Sequence, residues 1–196
     1  GNINLAGIGS DLSLQSDMWS FWEGFAVFGG KIEILGGIER SGILLIDREG
    51  ANDDDVSVYV HTTSSLITPY AGTAIAVRGS KDVVLDGAVV AGGTIGEHGV
   101  TFATAGDATA LITAGATLWL NNAVAASGDI TINAGKVFLD TVSGLTSAGI
   151  VASGGSVITV NATGDIQVLG HILSGGNTEQ TFDKDVVVEE EQNRNY

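Results

Sequence analysis

The chain has 196 residues, of which 44% are hydrophobic and 16% are charged, so most of it is too apolar to be a disordered tail. Its net charge of −15 disfavours nucleic acid and anionic lipid as partners, and no apolar run reaches the ~20 residues needed for membrane insertion. The absence of cysteine excludes disulfides, thiolate metal sites and cysteine nucleophiles.

In chain order, four stretches share one eleven-residue pattern: apolar, any, apolar, any, Gly or Asn, any, apolar, and a glycine four positions later. The copies cover residues 32–42, 83–93, 118–128 and 166–176. The 29 glycines of the chain show no collagen period. A recurring pattern of this kind is typical of a fold built by stacking one short unit on the next.

Short alternating strands precede the last three copies, and they begin at Ile75, Leu111 and Ile158. Nineteen residues separate Leu111 from Ile130, and nineteen separate Leu118 from Val137. Alternation places one face of each strand inward. The predicted inward residues, stacked in columns, are Ile32, Ile34, Val83, Leu85, Leu118, Leu120, Val137, Leu139, Ile166 and Val168.

These observations predict an all-β fold, a right-handed parallel β-helix (β-solenoid), in which each coil stacks on the one before it. A β-sandwich stays open as the alternative, because it also uses many short strands. Sandwich hairpins favour Asn-Gly or Asp-Gly turns, and Asp86-Gly87 is the only such pair in the chain. Because it lies inside a repeat copy, we interpret it as a corner of the unit.

The predicted domain organisation is a β-helix repeat domain over residues 1–176, followed by an acidic terminal strand and linker over residues 177–196. Insertions into the repeats are predicted near 47–70 and 94–108, and a further one at 146–155. A repeat strand at Ile3–Leu5 leads us to expect that the chain is part of a longer protein. A last strand is predicted at Val186–Val188.

One candidate metal site is the acidic run Asp53, Asp54 and Asp55, whose carboxylates are the oxygen ligands that Ca²⁺ takes. The spacing fits no EF-hand, and the calcium-binding nonapeptide is absent. A solvated loop is therefore the favoured interpretation. Calcium is the only cofactor that we keep as a candidate.

A second candidate is the aromatic segment that contains Trp19, Phe21 and Trp22. Aromatic side chains stack on sugars, and exposed clusters of them mark interfaces. The alternative, which we favour, is that part of this segment is core or covers an irregular coil. The candidate function that stays open beside it is a glycan or interface contact at these three residues.

No catalytic motif is recognisable, since His61, His98 and His171 lie far apart in sequence and the carboxylates of the repeats are scattered. We therefore predict that the chain is not an enzyme. The alternative function is a carbohydrate-active β-helix enzyme of the polysaccharide lyase or hydrolase type, which needs paired carboxylates.

The unit over residues 128–139 resembles the repeats of filamentous-haemagglutinin-type bacterial exoproteins. The resemblance covers residues 72–176 well and residues 1–45 loosely. It implies a non-catalytic structural or adhesive segment of a large secreted surface protein or fibre with a role in biofilms. The expected location is extracellular, at the bacterial cell surface. The expected partners are further copies end to end, neighbouring repeat domains, and host or environmental glycans.

Overall fold

A computed structural model describes residues 3–5, 25–29, 31–47, 55–97, 99–102, 107–140, 149–174, 180–181 and 186–188. These residues form strands and turns and contain no helix. Three parallel sheets contain every described strand except those of one antiparallel hairpin. Strands are numbered in chain order, and each sheet is given below in its spatial order.

Sheet A consists of β1 (Ile3–Leu5), β3 (Ile32–Ile34), β6 (Val56–Val60), β9 (Asp82–Leu85), β14 (Thr117–Leu120), β17 (Lys136–Leu139), β20 (Ile166–Val168) and β23 (Val186–Val188). Sheet B consists of β2 (Phe25–Gly29), β5 (Gly42–Asp47), β8 (Ala74–Gly79), β13 (Thr109–Ala114), β16 (Ile130–Ala134), β19 (Ile158–Ala162) and β22 (Gln180–Thr181). Sheet C consists of β4 (Gly37–Glu39), β7 (Ser65–Thr68), β10 (Ala88–Ala91), β15 (Val124–Ala126), β18 (Ile150–Ala152) and β21 (Ile172–Ser174). The hairpin consists of β11 (Gly93–Gly96) and β12 (Gly99–Phe102).

The chain passes from sheet B to sheet A to sheet C and then returns to sheet B, and we call one such passage a circuit. Strands β13, β14 and β15 form one circuit, for example. Each strand pairs in parallel with the strand of the same sheet one circuit later, so spatial order follows sequence order. The protein is therefore all-β with stacked parallel sheets, an arrangement compatible with a β-helix.

The predicted inward residues are confirmed as buried, with at most 7% of any of them exposed. They form two columns across sheet A, and β6 adds one member to each. The first column is Ile32, Val58, Val83, Leu118, Val137 and Ile166, and the second is Ile34, Val60, Leu85, Leu120, Leu139 and Val168. Each such side chain contributes about 1.5–3 kcal/mol through burial, so the columns contribute strongly to cohesion between circuits.

The eleven-residue repeat corresponds to a strand of sheet A, a corner, and a strand of sheet C. At the corner of the second copy, a Cβ atom on Gly87 would lie 2.3 Å from the backbone oxygen of Ser64 in the preceding circuit. Only glycine fits this close approach. Asp86-Gly87 is thus a corner between strands of different sheets, as predicted, and not a hairpin turn.

The register of sheet B corrects one sequence prediction. Ala110, not Leu111, pairs with Ile130, so the period there is twenty residues and Leu111 faces outward with 43% of its surface exposed. Leu111 and Ile112 are both apolar, so local alternation alone does not decide which of them faces inward. The nineteen-residue period from Leu118 to Val137 in sheet A is confirmed.

Two predicted insertions contain regular strands of the fold. The segment 47–70 includes β6 and β7, which pair with their neighbours in sheets A and C. The segment 146–155 includes β18, which pairs with β15 and β21. These three strands were missed because the links before them differ in length from those of the other circuits. The hairpin β11–β12 lies at the third segment, 94–108.

Buried hydroxyl groups line the corner between sheets C and B. Ser127 Oγ accepts a hydrogen bond from the Ala108 N–H at 3.3 Å, and the Ser127 carbonyl accepts from Ser156 Oγ at 3.2 Å and from Ser153 Oγ. Unpaired polar backbone groups are costly when buried. These small polar residues therefore allow the chain to turn inside a tightly stacked corner.

Candidate binding face on sheet A

The outer face of sheet A presents the residues that alternate with the buried columns. Its central column crosses six circuits in register, and its members are Glu33, Tyr59, Val84, Trp119, Phe138 and Gln167. Three of the six are aromatic, which suits a pleated sheet because large flat side chains pack well against their cross-strand neighbours. This column is the densest aromatic feature among the described residues.

Trp119 and Phe138 stack on each other across neighbouring strands. Their ring centroids lie 4.6 Å apart and their planes are inclined by 12°. Trp119 has 38% of its surface exposed, and Phe138 is half-buried. At this separation two nearly parallel rings cover each other's faces, so this aromatic pair, which we call the platform, presents ring edges to solvent.

Asp82 holds the indole ring of Trp119 from the neighbouring strand. Its Oδ1 accepts the backbone N–H of Thr117 at 2.9 Å, and its Oδ2 accepts the indole Nε1–H at 3.4 Å. Because both oxygens of one carboxylate contact the same strand, the platform is oriented before any ligand arrives.

Asp86 organises the polar groups beside the platform. Its carboxylate accepts hydrogen bonds from the Tyr59 hydroxyl at 2.5 Å and from Asn121 Nδ2 at 2.7 Å, and its backbone oxygen accepts from Asn122 Nδ2 at 2.9 Å. The hydrogen bond to Asp86 raises the pKa of Tyr59 to about 12. Burial and the negative charges of Asp86 and Glu33 act in the same direction.

A groove of about 240 Å³ runs along the platform over three circuits. Each of its three rows contributes two outward side chains. The rows are Trp119 with Asn121, Phe138 with Asp140, and Gln167 with Leu169. Amide and carboxylate groups beside the aromatic pair give this groove both polar and apolar lining.

A second cavity, of about 370 Å³, lies at the corner between sheets B and A beside Asp47. Asp47 is 96% buried, and its Oδ2 accepts hydrogen bonds from the N–H of Ser80 at 3.0 Å and from Ser80 Oγ. Its Oδ1 is buried and has no hydrogen-bond partner. Within the described ranges, no group of three His, Cys, Asp or Glu residues is placed to hold a metal ion.

Only one of the sequence-predicted site residues belongs to the described part of the chain. Asp53, Asp54, Trp19, Phe21 and Trp22 lie outside the described residues.

Asp55, the third residue of the acidic run, is described and exposed. Its backbone oxygen accepts the N–H of Asp82 at 3.0 Å, so the acidic run leads directly into sheet A.

Sequence reasoning missed Trp119 and Phe138 as site residues, although a signal was present. Both occupy the position between two inward apolar residues of their strands, and they are separated by the nineteen-residue period. An aromatic side chain at that position in successive units predicts an outward stack.

Comparison of the chain with protein-family models, with curated proteins and with solved structures found no match. No helix among the described residues is long and apolar enough to cross a membrane.

Proposed function

We propose that this chain is a segment of a right-handed parallel β-helix that serves as a non-catalytic structural or adhesive part of a large secreted bacterial surface protein or fibre. The observation that carries the proposal is the stacking of like residues in register through successive circuits, as in the two buried columns of sheet A. Stacking of this kind produces a stiff rod that further circuits can lengthen and that has long outer faces. The resemblance of the repeats to filamentous-haemagglutinin-type exoproteins supports an extracellular, cell-surface location.

The function is tested by exposing the purified chain to a panel of neutral and acidic polysaccharides and measuring turnover and binding together. We expect retention on polysaccharide-coated surfaces without new reducing or unsaturated ends. Release of such ends would contradict the proposal and favour the polysaccharide lyase or hydrolase alternative.

The proposed partners include further copies stacked end to end. Strand β1 lies at the edge of sheet A, and among the described residues it has a partner strand on one side only. Open strand edges favour pairing with another chain. In this sheet, outward residues donate their N–H to the preceding circuit, as Asp86 does to Val60 at 2.9 Å. Asn4, in register with Glu33, therefore directs its N–H towards the open side.

The variant Asn4→Pro removes this one donor and leaves the hydrogen bonds towards β3 in place. We expect the average mass of the unaltered chain to rise with concentration in light scattering, and the proline variant to stay monomeric. The matched control, Asn4→Ala, keeps the N–H and should associate as the unaltered chain does. Equal association by all three chains would contradict stacking through this edge.

A further inference from the structure

We propose that the groove along Trp119 and Phe138 is a docking site for an arginine side chain of a basic partner polypeptide. This role rests on the proposed adhesive function, and it identifies the partner by its chemistry. Three properties of the groove lead to this occupant: the negative charge beside it, its apolar lining, and the hydrogen-bond acceptors along its edge.

The carboxylates beside the groove carry negative charge that no cationic side chain neutralises. The carboxylates of Asp82 and Asp86 accept hydrogen bonds from neutral groups only, and within the described residues neither forms an ion pair. Asp140, which is exposed, lines the groove itself. The strands β9, β14, β17 and β20 contain a single cationic residue, Lys136. The negative charge is therefore in excess here, and it attracts a cationic partner.

The lining of the groove fits a cation that has a long apolar stem. Trp119, Phe138 and Leu169 supply the apolar lining, and the two stacked rings turn their edges outward. Ring edges carry the positive end of the aromatic quadrupole, so a cationic head is directed away from them while methylene groups pack against them. Arginine and lysine side chains combine such a stem with a charged head. A metal ion has no stem to place against this lining.

Hydrogen-bond acceptors along the groove favour arginine over lysine. Asn121 donates its Nδ2 to Asp86 at 2.7 Å, which leaves its Oδ1 as an acceptor, and Asp140 and Gln167 line the next two rows. A guanidinium group has five donors in a planar fork that matches a carboxylate, whereas an ammonium group is a compact, strongly hydrated charge. The volume of about 240 Å³ is below the ~300–1,000 Å³ of small-molecule pockets, so it suits one side chain laid along the surface.

The test is isothermal titration calorimetry at low ionic strength with capped hexapeptides in which arginine, lysine or citrulline alternates with glycine. Citrulline keeps the shape of arginine but carries no charge. We expect the arginine peptide to bind, the lysine peptide to bind more weakly, and the citrulline peptide not to bind. The affinity for the arginine peptide should fall as salt is added, because charges at an exposed surface are screened.

Asp140→Asn should weaken binding of the arginine peptide by about three- to tenfold, the loss expected for a bidentate ion pair at the surface. The matched control is Glu97→Gln, which removes the same charge from an exposed residue in the turn between β11 and β12. It should leave the affinity unchanged. Trp119→Ala should also weaken binding, because the stem loses part of its apolar lining. Thermal melts should show that each variant is folded.

Three results would overturn the docking site. The first is equal weakening by Asp140→Asn and Glu97→Gln, which would show that net charge alone attracts the peptide. The second is binding of spermidine, which carries as many charges as the arginine peptide, with the same affinity. The third is binding of the citrulline peptide, or no binding of the arginine peptide. The proposed function fails separately, through cleavage of a polysaccharide.

Discussion

The outer faces of sheets A and C belong to the same circuits but meet different surroundings. In the circuit of β14 and β15, Trp119 on sheet A has 38% of its surface exposed, whereas Ala125 on sheet C is fully buried. Val90, the outward residue of β10, is also fully buried, although the core cluster contains its inward neighbours Val89 and Ala91. The outer face of sheet C is therefore covered at Val90 and Ala125, whereas Leu173 farther along the same column has 50% of its surface exposed.

The difference shows how side-chain size is matched to what lies outside a sheet. The covered positions of sheet C carry Val90 and Ala125, whose small side chains allow other parts of the chain to pack closely, and the hairpin strand β11 contacts β7 of this sheet. The open face of sheet A carries Trp119 and Phe138, which shield each other by stacking. A surface left open for a ligand can tolerate large aromatics that a tightly packed face cannot.

The largest expected effect comes from placing a charge on each face. Val84 and Val90 are outward valines of one circuit, half-buried on sheet A and fully buried on sheet C. Val90→Asp should lower the free energy of unfolding by about 3–5 kcal/mol, because the carboxylate is left without a partner away from water. Val84→Asp should cost about 1 kcal/mol or less. Equal losses in urea unfolding would show that the two faces do not differ.

A somewhat smaller effect separates the two sides of one strand in sheet A. Leu120→Ala should cost about 2–5 kcal/mol, because it opens a cavity in a fully buried column. Its neighbour Trp119→Ala should cost about 1 kcal/mol, mainly the lost stack with Phe138. Thermal and denaturant unfolding measure both. A larger loss for Trp119→Ala than for Leu120→Ala would contradict the view that the buried column contributes more to cohesion than the aromatic pair does.

The smallest expected effect is electrostatic, and it tests the hydrogen bond between Tyr59 and Asp86 on the outer face of sheet A. The folded pKa of Tyr59 is about 12, above its unfolded value of 10.0. The neutral phenol therefore stabilises the folded state at pH below about 10, and this stabilisation is lost as pH rises through about 12.

Ultraviolet titration should detect one late-ionising tyrosine that is absent in Tyr59→Phe. Asp86→Asn removes the charge beside the hydroxyl and should lower the pKa of Tyr59. An unchanged titration in Asp86→Asn would show that Asp86 is not the cause of the shift.

The buried columns were predictable from sequence because period-two alternation is a local property of each strand. Ile32 and Ile34, or Leu118 and Leu120, flank a single outward residue, and nothing outside the strand changes which side they face. The register of Leu111 was not predictable in this way. Two apolar neighbours leave the alternation undecided, and only pairing with β16 in the next circuit chooses Ala110 and Ile112 as inward.

The alignment of single residues in the candidate site could be predicted from the sequence, but the contacts that join them on one face of sheet A could not. The repeat period alone aligns Trp119 with Phe138, whereas the hydrogen bonds that join Tyr59, Asp86 and Asn121 connect residues 27 and 35 positions apart in sequence. Links between circuits differ in length, so no fixed spacing predicts these contacts. They exist because β6, β9 and β14 are neighbours in sheet A.

By itself, the sequence determined that short alternating strands stack in parallel with like residues in columns, since that information lies within each repeat. Only the tertiary structure decided at which positions an outer face is covered. Val84 and Val90 are both outward valines in one circuit, and no local pattern separates them. Alternation determines which side of its sheet a residue faces. The exposure of that residue depends on which distant parts of the chain pack against that side.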